Sequence, residues 1–297
     1  VDIADLDSHQ AFLNGAAAVA MLVGPDAPVR LEPERATHMM NTWDFYKPVG
    51  WKDSFPLMRD GKHSIDVYMA CLEGCYRGLS RKLDTPNLLS IHDYAIFHCT
   101  STYLCKRAFD RLAGLASPEL GLRDRNALYQ SMAAPGTLLT KQIGSTYTAS
   151  CYVNLYSLLH TLGEQAVGKK ILAFSYGSGA ASSMFRLSVD SLPDLGHKLD
   201  QRLAARIAHV PQDFIALTEA YSNAYARFDF KPSERSDLKE GVYYLDRVDR
   251  WGLRHYSRFA NGQKQALCSG SPLERVLYET DAESTMDVVR TEEMPVA

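Results

Sequence analysis

His98 is the residue whose position best suits acid–base chemistry. It directly follows a short apolar run at residues 94–97 and precedes a polar stretch, the pattern of a side chain presented where a strand of an α/β sheet ends. An imidazole there can donate a hydrogen bond to a carbonyl oxygen that gains charge during an addition reaction. The chain has nine histidines, so position alone leaves a structural role for His98 open.

Two further segments combine residue types found in sites. DFYKP at residues 44–48 groups one acid, two aromatic rings and a lysine, and its simplest interpretation is a loop in which Asp44 caps a turn. In FSYGSG at residues 174–179, two glycines flank Ser178, so the backbone can approach a ligand and point N–H groups at it. No GK[ST] follows the glycines, which excludes a P-loop.

The net charge of −3 gives no general attraction for nucleic acid, so an anionic ligand would need a local cluster of cations. Lys106, Arg107 and Arg111 form such a cluster on the helix predicted after His98. A solvated helix face explains any one of them equally well. No run approaches the roughly 18 apolar residues that a membrane-spanning helix needs.

Strands alternate with helices along the chain, which predicts an α/β fold. The predicted strands are 16–23, 29–31, 94–97, 170–174, 184–189, 241–248 and 253–259. The predicted helices are 64–83 with Ser64 as N-cap, 102–115, 148–162, 197–208 and 211–225. Residues 117–139 are expected to be irregular. Residues 1–266 are expected to form one domain, followed by an acidic, flexible tail at 267–297.

DFYKP, IFHC at residues 96–99 and FSYGSG occur in the order in which they occur in the hydroxymethylglutaryl-CoA synthase family, and the chain resembles the C-terminal portion of that family. The likeness runs from about residue 14 to residue 258 and includes Gly61-Lys62, Tyr147-Thr148 and the YYLDRVD segment at 243–249. It implies a layered α-β-α-β-α fold of the thiolase-like class, of which this chain covers mainly the C-terminal half.

The resemblance also implies a reaction. Enzymes of this family condense acetyl-CoA with acetoacetyl-CoA, by way of an acetylated cysteine and an enolate generated by a glutamate base. His98 and Asp44 are then catalytic, with His98 serving the second substrate. The implied substrate-binding residues are Phe45, Ser145, Tyr147, Tyr176, Gly177, Ser178, Lys106 and Arg107. No metal or redox cofactor is implied.

Two positions depart from the family pattern. Ser145 stands where the family has an asparagine that helps to hold the acyl carbonyl, and a serine hydroxyl reaches less far than a carboxamide. Tyr103 stands, in ungapped register, where the family has a lysine. Both changes bear on how the substrate is held.

The nucleophilic cysteine and the glutamate base of the family lie upstream of DFYKP, outside this chain. None of the six cysteines has suitable spacing, and we expect buried thiols in a reducing compartment without disulfides. Three hypotheses stay open: half of an active synthase completed by an N-terminal segment or companion chain, a non-catalytic acyl-CoA-binding partner, or a relative that acts on an acyl-carrier protein. The resemblance favours a homodimer. The expected location is the cytoplasm, with mitochondria as the alternative, and no nucleic-acid or membrane partner is expected.

Overall fold

The computed structural model describes residues 13–46, 57–58, 60–196, 198–224, 227–232 and 238–266. The chain divides into two compact units, Val1–Asn223 and Ala224–Ala297, each described here by itself. Lys47 and Pro48 of DFYKP, Cys268 and the acidic tail lie outside the described residues. The predicted domain boundary at residue 266 and the flexible tail therefore stay predictions.

A four-stranded sheet forms the centre of the first unit, with the strand order β1, β6, β5, β4. These strands are β1 (Val29–Met39), β4 (Tyr94–Phe97), β5 (Lys170–Gly177) and β6 (Ala181–Val189), and a separate pair consists of β2 (Phe45–Tyr46) and β3 (Leu57–Met58). β4 is parallel to β5, whereas β6 is antiparallel to both β5 and β1. Because Phe97 pairs with Phe174, the chain leaves β4 at His98 beside the end of β5.

Helices pack on both faces of this sheet. The α-helices of the described residues are α1 (Gly61–Lys82), α2 (Thr102–Ala116), α3 (Leu122–Met132), α4 (Leu138–Ile143), α5 (Ala149–Leu162), α6 (Leu199–Ala204) and α7 (Pro211–Ala224). Apolar residues of α1, α2 and α3 join one core cluster with Phe97 and Phe174, and those of α5 join a second cluster with Ile96 and Ile171. The sheet therefore separates two cores. No helix in the described part of the chain is long and apolar enough to cross a bilayer.

Most of the predicted elements of the first unit are confirmed, and the exceptions have physical reasons. The run at residues 16–23 is not a buried strand: it pairs with no strand among the described residues, and Leu22 is fully exposed. Residues 117–139 are not irregular, because Tyr129 and Met132 reach the first core and so hold α3 in place. The N-cap of α1 is Asp60 instead of Ser64, since the Asp60 carboxylate accepts the N–H groups of Lys62 and His63.

The second unit contains the antiparallel sheet β7 (Tyr243–Val248), β8 (Arg254–Ala260) and β9 (Gln263–Ala266). The strand pair predicted at 241–248 and 253–259 is confirmed. The turn between these strands is held by Asp249, whose carboxylate accepts the backbone N–H groups of Trp251 and Leu253.

In the first unit, the helix predicted at 197–208 is shorter than expected and spans only α6.

Candidate active site

His98 is held by its backbone at the end of β4. Its N–H donates to the carbonyl of Phe174 at 2.6 Å, which extends the β4–β5 pairing by one residue. Its carbonyl accepts a hydrogen bond of 2.9 Å from the hydroxyl of Tyr68 in α1. His98 is only 6% exposed, so the two contacts fix a residue that water barely reaches.

The imidazole of His98 has one polar neighbour among the described side chains, the hydroxyl of Ser150 in α5. The Nδ1 atom lies 3.2 Å from Ser150 Oγ, and the same oxygen accepts the backbone N–H of Cys99 at 3.0 Å. Burial lowers the pKa of His98 to about 4. The ring is therefore neutral at physiological pH and acts as a hydrogen-bonding group, without a positive charge.

Asp44 lies in a second buried network. Its carboxylate accepts the Tyr176 hydroxyl at 2.5 Å and the Gly179 N–H at 2.9 Å. Burial alone would raise the pKa of this carboxyl, but these bonds and one with Ser178 outweigh it, so the pKa lies below its usual value of 3.8. Gly179 has φ +120°, a conformation that favours glycine and turns its N–H toward the carboxylate.

Aromatic rings join the two networks. The rings of Tyr176 and His98 lie 5.8 Å apart, and Tyr68 packs edge-on against Tyr176 at 5.1 Å. The ring of Phe45, which follows Asp44, lies 6.3 Å from that of Tyr147. The structure thus brings together five residues that the sequence analysis names as a site, although they are spread over 133 positions of the chain: Asp44, Phe45, His98, Tyr147 and Tyr176.

Ser145 precedes Tyr147 and belongs to the same segment. It is 1% exposed, and its N–H donates to the carbonyl of Leu13 at 2.7 Å. Its hydroxyl is buried and has no hydrogen-bond partner among the described residues. A buried polar group without a partner is unfavourable, so this hydroxyl is suited to meet a polar atom of a ligand.

The predicted hairpin and cation residues differ in how far the structure connects them to the site. Gly177 ends β5, and Ser178 lies exposed in the turn that carries the Asp44 contacts. Lys106 and Arg107 are exposed on α2, where Arg107 lies over the ring of Tyr103 at 5.8 Å. Neither cation contacts His98 or Asp44 in the described structure, so their predicted role in binding CoA stays a prediction.

The expectation of no disulfide is wrong. Cys99 and Cys105 form a disulfide, because the loop after β4 and the first turns of α2 bring their Cα atoms to 5.7 Å. The other described cysteines, Cys71, Cys75 and Cys151, are buried, and burial raises the pKa of each thiol, that of Cys151 to about 12. A nucleophilic cysteine requires a thiolate, so none of these three is suited to that role.

The sequence analysis missed Tyr68, Ser150 and Asn154. Ser150, Asn154 and Ser157 are buried at helical spacing in the largely apolar helix α5, and this polar stripe was the signal that could have identified Ser150 and Asn154. The Asn154 amide donates to the carbonyl of Phe97 at 3.0 Å, which ties α5 to the end of β4.

A cavity of about 490 Å³ lies beside residues that flank Asp44 in the chain. Its walls are Asn41, Thr42, Trp43, Tyr46 and His63. None of these residues belongs to the predicted site, so we do not assign the cavity to it.

Two solved structures share this architecture. One, described as MvaS in complex with 3-hydroxy-3-methylglutaryl coenzyme A, is 22% identical, with a TM-score of 0.65 over 86% of this chain and 64% of its own. The other is the HMG synthase of the curacin biosynthetic pathway in complex with holo donor-ACP, at 18% identity and a TM-score of 0.66 over 75% and 56%. Such low identities show the fold. That fold is the thiolase-like fold of these two synthases.

Comparison with sequences identifies the family. The family model for the C-terminal part of hydroxymethylglutaryl-coenzyme A synthase matches residues 29–116 and 123–259. Hydroxymethylglutaryl-CoA synthase A of Dictyostelium discoideum is 35% identical over 285 residues, and the human mitochondrial synthase is 32% identical over 300 residues. The chain belongs to the hydroxymethylglutaryl-CoA synthase family, and it spans 58% of the length of each of these two relatives.

Proposed function

We propose that this chain supplies the acetoacetyl-CoA side of a hydroxymethylglutaryl-CoA synthase, which condenses acetyl-CoA with acetoacetyl-CoA. The observation that carries the proposal is the buried His98, neutral and held at the end of β4 beside the Asp44–Tyr176 pair. A neutral imidazole in a dry site donates a hydrogen bond to a carbonyl oxygen without bringing in a second charge.

The chemical steps assign a role to this imidazole. An enzyme cysteine takes the acetyl group from acetyl-CoA and releases CoA, and a base removes a proton from the acetyl methyl group. The resulting enolate carbon forms a bond with the ketone carbon of acetoacetyl-CoA, whose oxygen becomes an alkoxide and then takes up a proton. Hydrolysis of the enzyme thioester releases the product. Ser150 occupies Nδ1 of His98, which leaves Nε2 as the nitrogen available to the ketone oxygen.

The nucleophile and the base come from a polypeptide segment beyond this chain. The described cysteines are disulfide-bonded or buried with a raised pKa, and the curated relatives are longer than the chain. We propose that an N-terminal segment or a companion chain carries the cysteine and the glutamate base.

The first test is intact-mass spectrometry of the protein purified from its native cells, before and after incubation with acetyl-CoA. We expect a cysteine of the completing segment to gain an acetyl group, and the acetylated protein to yield hydroxymethylglutaryl-CoA when acetoacetyl-CoA is added. If neither acetyl-CoA nor an acetylated acyl-carrier protein acetylates any species, the proposed synthase activity is refuted. If the acetylated acyl-carrier protein acetylates the enzyme and acetyl-CoA does not, the proposed acetyl donor is wrong while the condensation stands.

The second test separates the two half-reactions. His98→Ala is expected to lower condensation by about a hundredfold or more while cysteine acetylation stays near the wild-type rate. His92→Ala is a matched control, because His92 is also buried but bonds to Leu88 and Arg186, away from the proposed site. Equal loss of both half-reactions in His98→Ala would contradict the role given to His98.

A homodimer and a cytoplasmic location belong to the same proposal. Curated relatives include mitochondrial synthases as well as ones named without a compartment, so relatives do not choose between the two locations. Cell fractionation tests the compartment, and sedimentation analysis of the purified protein tests the dimer.

A further inference from the structure

The hydroxyl of Ser150 lies between the backbone N–H of Cys99 and the Nδ1 atom of His98. Ser150 is 2% exposed, in the first turn of α5, and its Oγ lies 3.0 Å from the backbone nitrogen of Cys99 and 3.2 Å from Nδ1 of His98. No other described polar group lies within hydrogen-bond distance of the His98 ring.

The hydrogen-bond capacities of these groups decide the direction of each bond. A backbone N–H only donates, so Ser150 Oγ accepts from Cys99. The hydroxyl proton is then free, and the group in its reach that can accept it is Nδ1 of His98. A neutral imidazole that accepts at Nδ1 carries its proton on Nε2.

The helix that carries Ser150 is itself fixed against the end of β4. Asn154 donates to the carbonyl of Phe97 at 3.0 Å, and its own amide oxygen accepts the hydroxyl of Thr140 at 2.7 Å. Ser150 and Asn154 are one helical turn apart and hold consecutive parts of the strand end, on either side of His98. The hydroxyl position is therefore set by buried contacts that do not involve the imidazole.

We propose that Ser150 is a positioning residue that fixes His98 in the tautomer with its proton on Nε2, so that the neutral ring donates a hydrogen bond to the ketone oxygen of the second substrate. The tautomer follows from the contacts of this chain, whereas its use in catalysis rests on the proposed function. The other tautomer would present a lone pair to an oxygen that gains negative charge, and the two would repel each other.

The test is nitrogen NMR of the chain labelled with ¹⁵N-histidine at pH 7, with the His98 signals assigned by their absence in His98→Gln. In the wild type we expect a pyridine-type signal for Nδ1 and a pyrrole-type signal for Nε2. In Ser150→Ala both signals are expected to move toward each other as the two tautomers exchange. Ser150→Thr, which keeps the hydroxyl, is expected to restore the wild-type positions.

Ser157→Ala is the matched control. Ser157 is also fully buried on α5, and its hydroxyl also accepts a backbone N–H, that of Leu139 at 3.3 Å, but it does not contact His98. Its loss is expected to leave the His98 signals unchanged. A pyrrole-type Nδ1 in the wild type, or an unchanged His98 spectrum in Ser150→Ala, would overturn the assignment. If Ser150→Ala does not fold, Ser150→Cys replaces it, because a thiol fills the space but donates weakly.

Kinetics then separate this assignment from the proposed function. In the complete enzyme, Ser150→Ala is expected to lower the turnover of condensation by up to about a hundredfold, with cysteine acetylation unchanged and Ser150→Thr partly restored. A shifted tautomer with an unchanged condensation rate would leave Ser150 as the orienting residue and remove His98 from the chemistry.

Discussion

The hydrogen bond between Tyr176 and Asp44 offers the most direct measurement on this fold. The two residues are 132 positions apart, Asp44 is fully buried, and the O–O distance is 2.5 Å. A hydrogen bond to a charged group contributes about 1.5–3 kcal/mol, and an ionised carboxylate left short of a donor loses further stability. We therefore expect Tyr176→Phe to lower the free energy of unfolding by about 2–4 kcal/mol at pH 7.

Tyr68→Phe is the matched control for this change. Tyr68 is as buried as Tyr176, but its hydroxyl donates to a neutral carbonyl, that of His98, at 2.9 Å. A neutral bond contributes about 0.5–1.5 kcal/mol, so this variant should lose clearly less stability. A double-mutant cycle of Tyr176→Phe with Asp44→Asn should give a coupling energy of about 1–3 kcal/mol. The control cycle of Tyr68→Phe with Asp44→Asn should give a coupling energy near zero.

Urea unfolding followed by far-UV circular dichroism measures these values, because helices α1 to α6 all lie in the first unit. The pKa of Asp44 lies below 3.8 in the folded protein, so its contribution is present above about pH 4 and is lost as the pH falls through the folded pKa. The difference between wild type and Tyr176→Phe should therefore shrink in acid. A Tyr176→Phe variant no less stable than Tyr68→Phe, or a zero coupling, would refute the reasoning.

Two further predictions concern His98 and Gly74. The pKa of His98 is 6.5 in ordinary surroundings and about 4 in the folded protein. The contribution of the neutral His98 to the free energy of unfolding is therefore fully present above pH 6.5 and falls by about 3 kcal/mol toward pH 4. His98→Gln should flatten this part of a curve of stability against pH. Gly74→Ala should destabilise the first unit in urea unfolding, because the new Cβ would lie 2.4 Å from the His38 ring. In a His38→Ala background, the same change should become neutral or stabilising by up to about 1 kcal/mol.

Local patterns were sufficient for most of the elements. Apolar spacing predicted α2 and α5 within about one residue, and the runs before His98 and Ser175 predicted β4 and β5. These signals lie in neighbouring residues, since a helix repeats every 3.6 residues and a strand every two. The run at 16–23 shows the limit of such patterns, because an apolar strand is buried only where other strands pair with it.

The same limit applies to the candidate site, where the sequence names residues and the structure shows their contacts. Residue types and motif order were enough to name His98, Asp44 and Tyr176 as members of one site. Only the tertiary structure showed that Tyr176 donates to Asp44, that Ser150 faces Nδ1 of His98, and that Cys99 and Cys105 are paired. Hydrogen bonds and disulfides depend on distances of a few ångströms between distant parts of the chain, and these are set by how the helices pack on the sheet.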